Sequence, residues 1–262
     1  MGVLNVTPDS FSDGGEFLAA DKATERGLQM AAEGAHIIDV GGESTHPGSE
    51  PIAVEEELRR VIPVIKNLRQ KLDIPISIDT SKADVARAAI EAGASIVNDV
   101  TGGQGDDQML SLIAQTKSAF IIMHMQGTPR TMQIQPHYTD VVAEISEFFR
   151  QQYARAIGLN IDPMAIAFDP GIGFGKALEH NLELLAGLER LRAHDRAMVV
   201  GVSRKSFLGK LIRSPEISDR LIPGLALTSL LRARGADVFR VHDVRENVYA
   251  LQVTEAILQR TK

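Results

Sequence analysis

Cysteine is absent from this 262-residue chain. That excludes disulfides, thiolate catalysis and cysteine-ligated metals, and leaves oxygen and imidazole as the ligands for any metal. No apolar run approaches the length of a membrane-spanning helix, and the opening stretch MGVLNVTPDS lacks the basic-then-apolar layout of a signal peptide. A cytoplasmic protein without a membrane partner is expected. Basic residues are not clustered, and 28 Lys and Arg face 34 Asp and Glu for a net charge of −6. No electrostatic footprint for nucleic acid exists, so none is expected as a partner, and an anionic ligand must be held by local groups. Linkers, low-complexity tracts and breaks in composition are also missing, which argues for one domain over residues 1–262.

What is present is a regular alternation. Hydrophobic residues at 44% and charged residues at 24% lie in the ordinary globular range, so a sizeable core is available. Eight short β-rich segments, at 3–6, 37–40, 75–79, 95–98, 119–123, 165–169, 198–202 and 238–242, are separated by amphipathic helical stretches. In one of these, Val54, Leu58, Val61, Ile62, Ile65 and Leu68 recur at helical spacing. Pro63 falls inside it and is expected to kink or divide the helix. Gly34-Ala35, Gly93-Ala94 and Gly235-Ala236 each stand where a left-handed helix C-cap precedes the next strand. Eight such units predict a single (β/α)8 TIM barrel in preference to an open doubly wound sheet.

In a barrel of this kind reactive residues gather at the C-terminal ends of the strands. The polar residues of this chain do so: Asn5; Glu43, Ser44 and Thr45; Asp79; Asn98; His124; Asp169; Ser203, Arg204 and Lys205; Arg240 and His242. Alternation puts Ser77 and Asp79 on one face, opposite Ile76 and Ile78, and Ala167 and Asp169 on one face, opposite Ile166 and Phe168. Arg240 and His242 share a face in the same way and read as a paired cationic clamp. Singly, a strand-end Asp is often a helix cap and an Arg or His often closes a surface ion pair. It is the convergence of so many that points to a site. Glycine-rich loops at 12–15, 41–48 and 169–176 would let backbone approach a ligand closely or cradle phosphate.

These residues carry a resemblance. Asn5-Val6-Thr7-Pro8-Asp9-Ser10-Phe11-Ser12-Asp13-Gly14-Gly15 and the Gly-Gly-Glu-Ser-Thr loop from Gly41 resemble the two signature segments of the dihydropteroate synthases. Ile78-Asp79-Thr80, Val97-Asn98-Asp99, Met123-His124-Met125-Gln126-Gly127, Asp169-Pro170-Gly171, Ser203-Arg204-Lys205-Ser206 and Arg240-Val241-His242-Asp243 follow in order, so the likeness covers nearly the whole chain. It implies a homodimeric barrel that condenses 6-hydroxymethyl-7,8-dihydropterin pyrophosphate with p-aminobenzoate, with Mg2+ as cofactor, and that is a sulfonamide target. By the same resemblance Asp79, Asn98, Met123, Asp169, Phe174 and Lys205 bind the pterin. Asn5, Thr45, His46, Arg240 and His242 hold the pyrophosphate, with Asn5 on the metal. Phe11, Ser44, Thr45, Pro47, Phe174 and Lys205 surround p-aminobenzoate, and Asp79, Lys205, Arg240 and His242 are the catalytic set.

The chemistry of the residues agrees with this. A pterin presents adjacent ring N–H and exocyclic amino donors, and a buried carboxylate such as Asp169 accepts both, while Lys205 and Asn98 serve the remaining edge. Displacing pyrophosphate from a CH2 group builds positive charge on the pterin methylene, which Asp79 would stabilise while Arg240, His242 and Mg2+ offset charge on the leaving group. The aromatic amine attacks while neutral and needs no strong base. Two positions depart from the family pattern: His46 stands where an Arg is usual, and Gly224 is flanked by Pro223 and Leu225. Both are expected near the p-aminobenzoate subsite. The chain begins almost at its first strand, so a start upstream of Met1 is allowed for. A methyltetrahydrofolate:corrinoid methyltransferase would need no pyrophosphate site, and the Ser203-Arg204-Lys205 and Arg240-Val241-His242 segments speak against it. A non-catalytic pterin-binding paralogue is opposed by the intact Asn5, Asp79, Lys205 and Arg240.

Overall fold

The computed structural model describes residues 1–7, 16–46 and 48–260. Eight strands, β1 (Gly2–Asn5), β2 (Ile38–Gly41), β3 (Ile76–Asp79), β4 (Ile96–Asp99), β5 (Ala119–Met123), β6 (Ile166–Asp169), β7 (Ala197–Val200) and β8 (Val238–Phe239), each lie parallel to the next in sequence order. The ring closes at Val241. Val3 N–H donates to its carbonyl at 2.9 Å, and its own N–H donates to the Met1 carbonyl at 2.9 Å. Among the described residues closure leaves no unpaired sheet edge.

Helices follow the strands: α1 (Glu16–Ala32), α2 (Val54–Arg69), α3 (Ala83–Glu91), α4 (Met109–Thr116), α5 (Val141–Gly158), α6 (Leu178–Ala186), α7 (Ser206–Ile212), α8 (Leu221–Ala233) and α9 (Val244–Leu258). The short α7 is an addition between β7 and α8. Among the described residues no helix is long and apolar enough to cross a membrane. The three Gly-Ala pairs end α1, α3 and α8. Gly34, Gly93 and Gly235 have φ of 101°, 116° and 91°, and the alanine after each donates to a carbonyl five residues back, at 2.9 Å, the six-to-one bond of a Schellman cap.

Two local expectations are revised. Helix α2 is not divided at Pro63. The proline is exposed, so its ring crowds no core neighbour and water can take the place of the bond its nitrogen cannot donate. Strand β8 is shorter than residues 238–242, because beyond Arg240 the chain leaves β7 to pair with β1 and close the barrel.

Alternation decides what fills each layer. Leu4, Ile38, Ile78, Phe120, Phe168 and Phe239 join one core cluster with the helices. Val3, Ile121 and Val199 are equally buried but lie outside that cluster, so they fill the inside of the barrel. Register places Val3, Asp39 and Ser77 level with one another, and Asn5, Gly41, Asp79 and Asn98 level in the layer above. The inside therefore carries a carboxylate in each of these two layers, Asp39 below and Asp79 above.

Candidate active site

A cavity of about 900 Å³ opens at the C-terminal ends of the strands. Its deep part is lined by Asn98, Asp169 and Arg240, with Val100, Met123, Met132 and Phe174 as an apolar wall, and its mouth by Asn5, Ser44, Thr45, His46, Ser203, Lys205 and His242. Most of the site residues read from the sequence are thus brought together. Phe11, Pro47 and the first signature segment from Pro8 to Gly15 lie outside the described residues.

The deepest carboxylates are organised by one guanidinium. Arg240 Nε donates to Asp39 Oδ2 at 2.6 Å and Nη2 to Asp79 Oδ2 at 2.5 Å. The same Asp39 oxygen accepts from Asn98 Nδ2 at 3.2 Å, which turns the Asn98 carbonyl oxygen away from Asp39. Two carboxylates share one cation, and the second oxygens of both Asp39 and Asp79 are buried without a hydrogen-bond partner. Burial, with added repulsion from Asp39, Glu57 and Asp99, outweighs Arg240 and pushes the Asp79 carboxyl up to about 7. Arg240 stays charged: burial works against it, but Asp39 and Asp79 more than restore it. Asp39 was not among the site residues expected from the sequence. The available signal was a carboxylate between Ile38 and Val40 in a buried strand, which demands a buried cation.

Asp169 is held from below. Its Oδ1 accepts the Gly171 N–H at 2.7 Å, and burial raises its pKa although Gly171, Lys205 and Arg240 oppose the shift. No cation among the described residues hydrogen-bonds it, and Asp169 lines the cavity, where its second oxygen is available as an acceptor. Lys205 sits with Nζ 4.1 Å from the centroid of the Phe174 ring, and burial together with Arg240 lowers its pKa to about 8.

The paired cationic clamp expected of Arg240 and His242 is corrected. Burial first, then the Arg204 and Arg240 charges, depress the His242 pKa to about 4, so its imidazole is neutral near pH 7. Its Nδ1 lies 3.2 Å from Ser203 Oγ. Arg26 binds its carbonyl at 3.2 Å. Arg204, at φ 59°, makes a two-point ion pair with Asp243 and points away from a role of its own in the floor. His46 is exposed at the mouth, and partial desolvation, then Lys205 and Arg240, lower its pKa.

Other strand-end residues have structural duties. Glu43 binds Lys82 Nζ at 2.5 Å and the Ile52 N–H at 3.0 Å, tying the β2 loop to α2 and β3. Ser44 Oγ meets Ser49 Oγ at 2.9 Å. Gly224 is buried within α8 and borders a small pocket with Ser203 and Arg204, both of which also line the main cavity, so it stands beside the site without lining it. A side chain at Gly224 would meet Leu208 of α7.

A flat heterocycle with a polar edge fits the acceptor and donors of the floor, the apolar wall suits its faces, and the cations suit an anionic substituent. The comparisons agree. Residues 1–242 match the family of pterin binding enzymes. A dihydropteroate synthase of Synechocystis sp. is 46% identical over 257 residues, covering 98% of this chain and 89% of that protein. The structure of Yersinia pestis dihydropteroate synthase in a sulfonamide drug complex superposes with a TM-score of 0.93 at 42% identity, covering 99% of this chain and 94% of that one. That of the Xanthomonas albilineans enzyme in complex with 7,8-dihydropteroate gives 0.88 at 40% identity, covering 98% and 92%. The chain therefore belongs to the pterin-binding enzymes, and within them to the dihydropteroate synthases.

Proposed function

We propose that this protein joins 6-hydroxymethyl-7,8-dihydropterin pyrophosphate to p-aminobenzoate, giving 7,8-dihydropteroate and pyrophosphate in folate biosynthesis. The observation that carries this is Asp169, a buried carboxylate anchored by backbone and open on one side, set in one cavity with Asn98 and the cations Lys205 and Arg240. The pterin N–H and amino donors meet the free Asp169 oxygen, Lys205 donates to the ring carbonyl or nitrogen, and Asn98 takes the remaining edge. Bound in this way the methylene points toward the mouth, where the neutral arylamine attacks it as the bond to pyrophosphate breaks. The Asp79 and Asp39 carboxylates stabilise the positive charge on the methylene. The new anilinium is acidic enough to give its proton to pyrophosphate or water. Lys205 and the Arg240 guanidinium offset charge on the leaving group, with Thr45, His46 and the neutral His242 as hydrogen-bonding partners, and Phe174, Ser44 and Thr45 border the arylamine.

Mg2+ fits as an ion brought by the substrate. Among the described residues no group of three or more His, Asp or Glu could cage it. Asn5 Oδ1 and Asp79 Oδ2 flank Gly41, 3.8 and 3.6 Å from where a side chain there would begin. A cation that keeps its waters and binds mainly through phosphate oxygens needs little more than the Asn5 oxygen, and when bound it supplies charge neutralisation at the pyrophosphate. Incubating the protein with Mg2+ and both substrates, with each omitted in turn, and assaying dihydropteroate and pyrophosphate tests the reading. Pterin binding without turnover would overturn it.

The pH profile follows from Lys205 and Asp79. Lys205 loses its proton above about pH 8, and Asp79 becomes ionised only above about pH 7. In the free enzyme kcat/KM should fall on both sides of that window. Lys205→Arg, charged throughout, should lower the plateau and remove the alkaline limb. An alkaline limb unchanged in Lys205→Arg would show that another group, or the substrate phosphate common to both proteins, causes it.

The protein is also proposed to be a homodimer. Tyr249, Val253 and Ile257, one turn apart along α9, are about 60% exposed, and Ile222 and Leu230 are exposed on the adjacent α8. An apolar stripe of this kind is costly in water. Light scattering should give twice the 28.4 kDa chain mass, and a monomer at micromolar concentration would refute the assignment.

A further inference from the structure

Lys176 closes the loop after β6 and is not among the described residues that line the cavity, yet it is only 2% exposed. An ammonium is expensive there unless every N–H finds an acceptor. Its Nζ lies 2.8 Å from the Phe174 carbonyl oxygen, 3.2 Å from the His124 carbonyl oxygen and 3.1 Å from His124 Nδ1. No carboxylate contacts it among the described residues. The three acceptors come from two loops, those after β5 and β6, so one side chain fastens them together.

Those loops have no slack. A side chain at Gly171 would stand 2.0 Å from the His124 carbonyl oxygen, and one at Gly175 2.3 Å from that of Gln126. The Tyr138 hydroxyl donates to the Gly175 carbonyl at 2.8 Å, and Gln133 to that of Gly173 at 2.8 Å. The bond set around Lys176 is complete in either protonation state. An ammonium donates to all three acceptors, whereas a neutral amine donates to the two carbonyls and accepts from His124 Nδ1–H. Burial lowers the Lys176 pKa to about 7, and burial with the Lys176 charge keeps His124 neutral. The clamp therefore does not depend on charge.

What the clamped segment carries is Phe174, whose ring forms the cavity wall with Met123 and Met132 and stands beneath the Lys205 ammonium. We propose that Lys176 is a positioning residue for the condensation: by bonding the Phe174 carbonyl to the β5 loop it fixes the aromatic wall, and with it Lys205, on the side of the site that receives the arylamine. The proposal rests on the reading of Phe174 as part of the p-aminobenzoate subsite.

Lys176→Met keeps the stem and removes all three bonds. The KM for p-aminobenzoate should rise about tenfold or more, as lost positioning implies, and by a clearly larger factor than the calorimetric affinity for the pterin pyrophosphate falls, because Asp169 and Asn98 are untouched and only Lys205 and Phe174 serve both substrates. In a Phe174→Ala background the same substitution should add little, since coupled residues are not additive. A merely structural role would lower the active fraction, and so kcat, and leave both constants alone. An unchanged acceptor KM, or full additivity of the two substitutions, overturns the proposal. If Phe174→Ala by itself leaves the acceptor KM unchanged, the reading of the subsite fails instead. Should Lys176→Met not fold, Tyr138→Phe releases the same loop at Gly175: a raised acceptor KM supports the clamp, and an unchanged one overturns it.

Discussion

Asp169→Asn should weaken binding of the pterin by about a hundredfold or more while leaving the fold at least as stable. In the native site Asp169 Oδ1 is already committed to the Gly171 N–H at 2.7 Å, and the other oxygen meets the ligand. An asparagine would keep its single carbonyl oxygen on Gly171 and turn its amide N–H groups toward the pterin N–H edge, donor against donor. A buried unmatched donor and a lost charge-assisted bond together cost about 3 kcal/mol, which is the hundredfold loss. Stability moves the other way. The Asp169 pKa is raised in the fold, first by burial, so above the ordinary carboxylate range the native state holds a charge it resists, and that cost grows as pH rises. The neutral isostere removes it, and Tm at pH 7 should be unchanged or higher. Calorimetry showing wild-type pterin affinity in a folded variant would remove Asp169 from the site.

Binding and stability part company at Asp169 because the site is built from groups the fold would sooner neutralise. This is also why so much of it could be read from sequence. A carboxylate or lysine in a strand of period two must face either solvent or a shared cavity. With Ile76, Ile78, Ile166 and Phe168 claiming the helix side, Asp79 and Asp169 had only the mouth left. The eight repeats and their glycine caps were legible for a similar reason, since each is settled by residues next to one another in the chain.

What was not legible depends on distant partners. Glu43 looks as reactive as Asp79 until Lys82 is seen to bind it, 39 residues away. His242 reads as a cation beside Arg240, but that needs water around the ring, and burial beside Arg204 and Arg240 denies it the proton. Lys176 reads as the end of a glycine-rich loop, and only the packing of one loop on another makes it a clamp. Pro63 shows the opposite case: a residue that ought to interrupt a helix is tolerated because it faces out, which periodicity around it already indicated.

Asp39 is the largest omission, and replacing it should have the second large effect. Its partner Arg240 is 201 residues away, so nothing local marks the pair, yet Asp39 is fully buried and binds both Arg240 and Asn98 through one oxygen. Asp39→Ala would leave Arg240 with Asp79 alone and Asn98 without its acceptor. Breaking a buried pair of this kind costs about 3–5 kcal/mol, a loss that chemical denaturation would register directly. Asp39→Asn keeps the volume and one acceptor, so the fold should survive. Its single carbonyl oxygen can still accept from both Arg240 and Asn98, but without the negative charge the hold on Arg240 weakens and the guanidinium is free to swing onto Asp79. Activity should then fall by about a hundredfold in kcat/KM, the scale of a misplaced charged group in a preorganised site. The same change has a signature that misfolding would not give. Asp39 is one of the charges that raise the Asp79 pKa, so with it gone the Asp79 carboxyl should ionise below about 7. The acid limb of the kcat/KM profile should move to lower pH even as its height drops. A folded Asp39→Asn protein with wild-type kcat/KM, or with reduced activity and an unmoved acid limb, would mean that Asp39 fills the barrel without governing the charge above it.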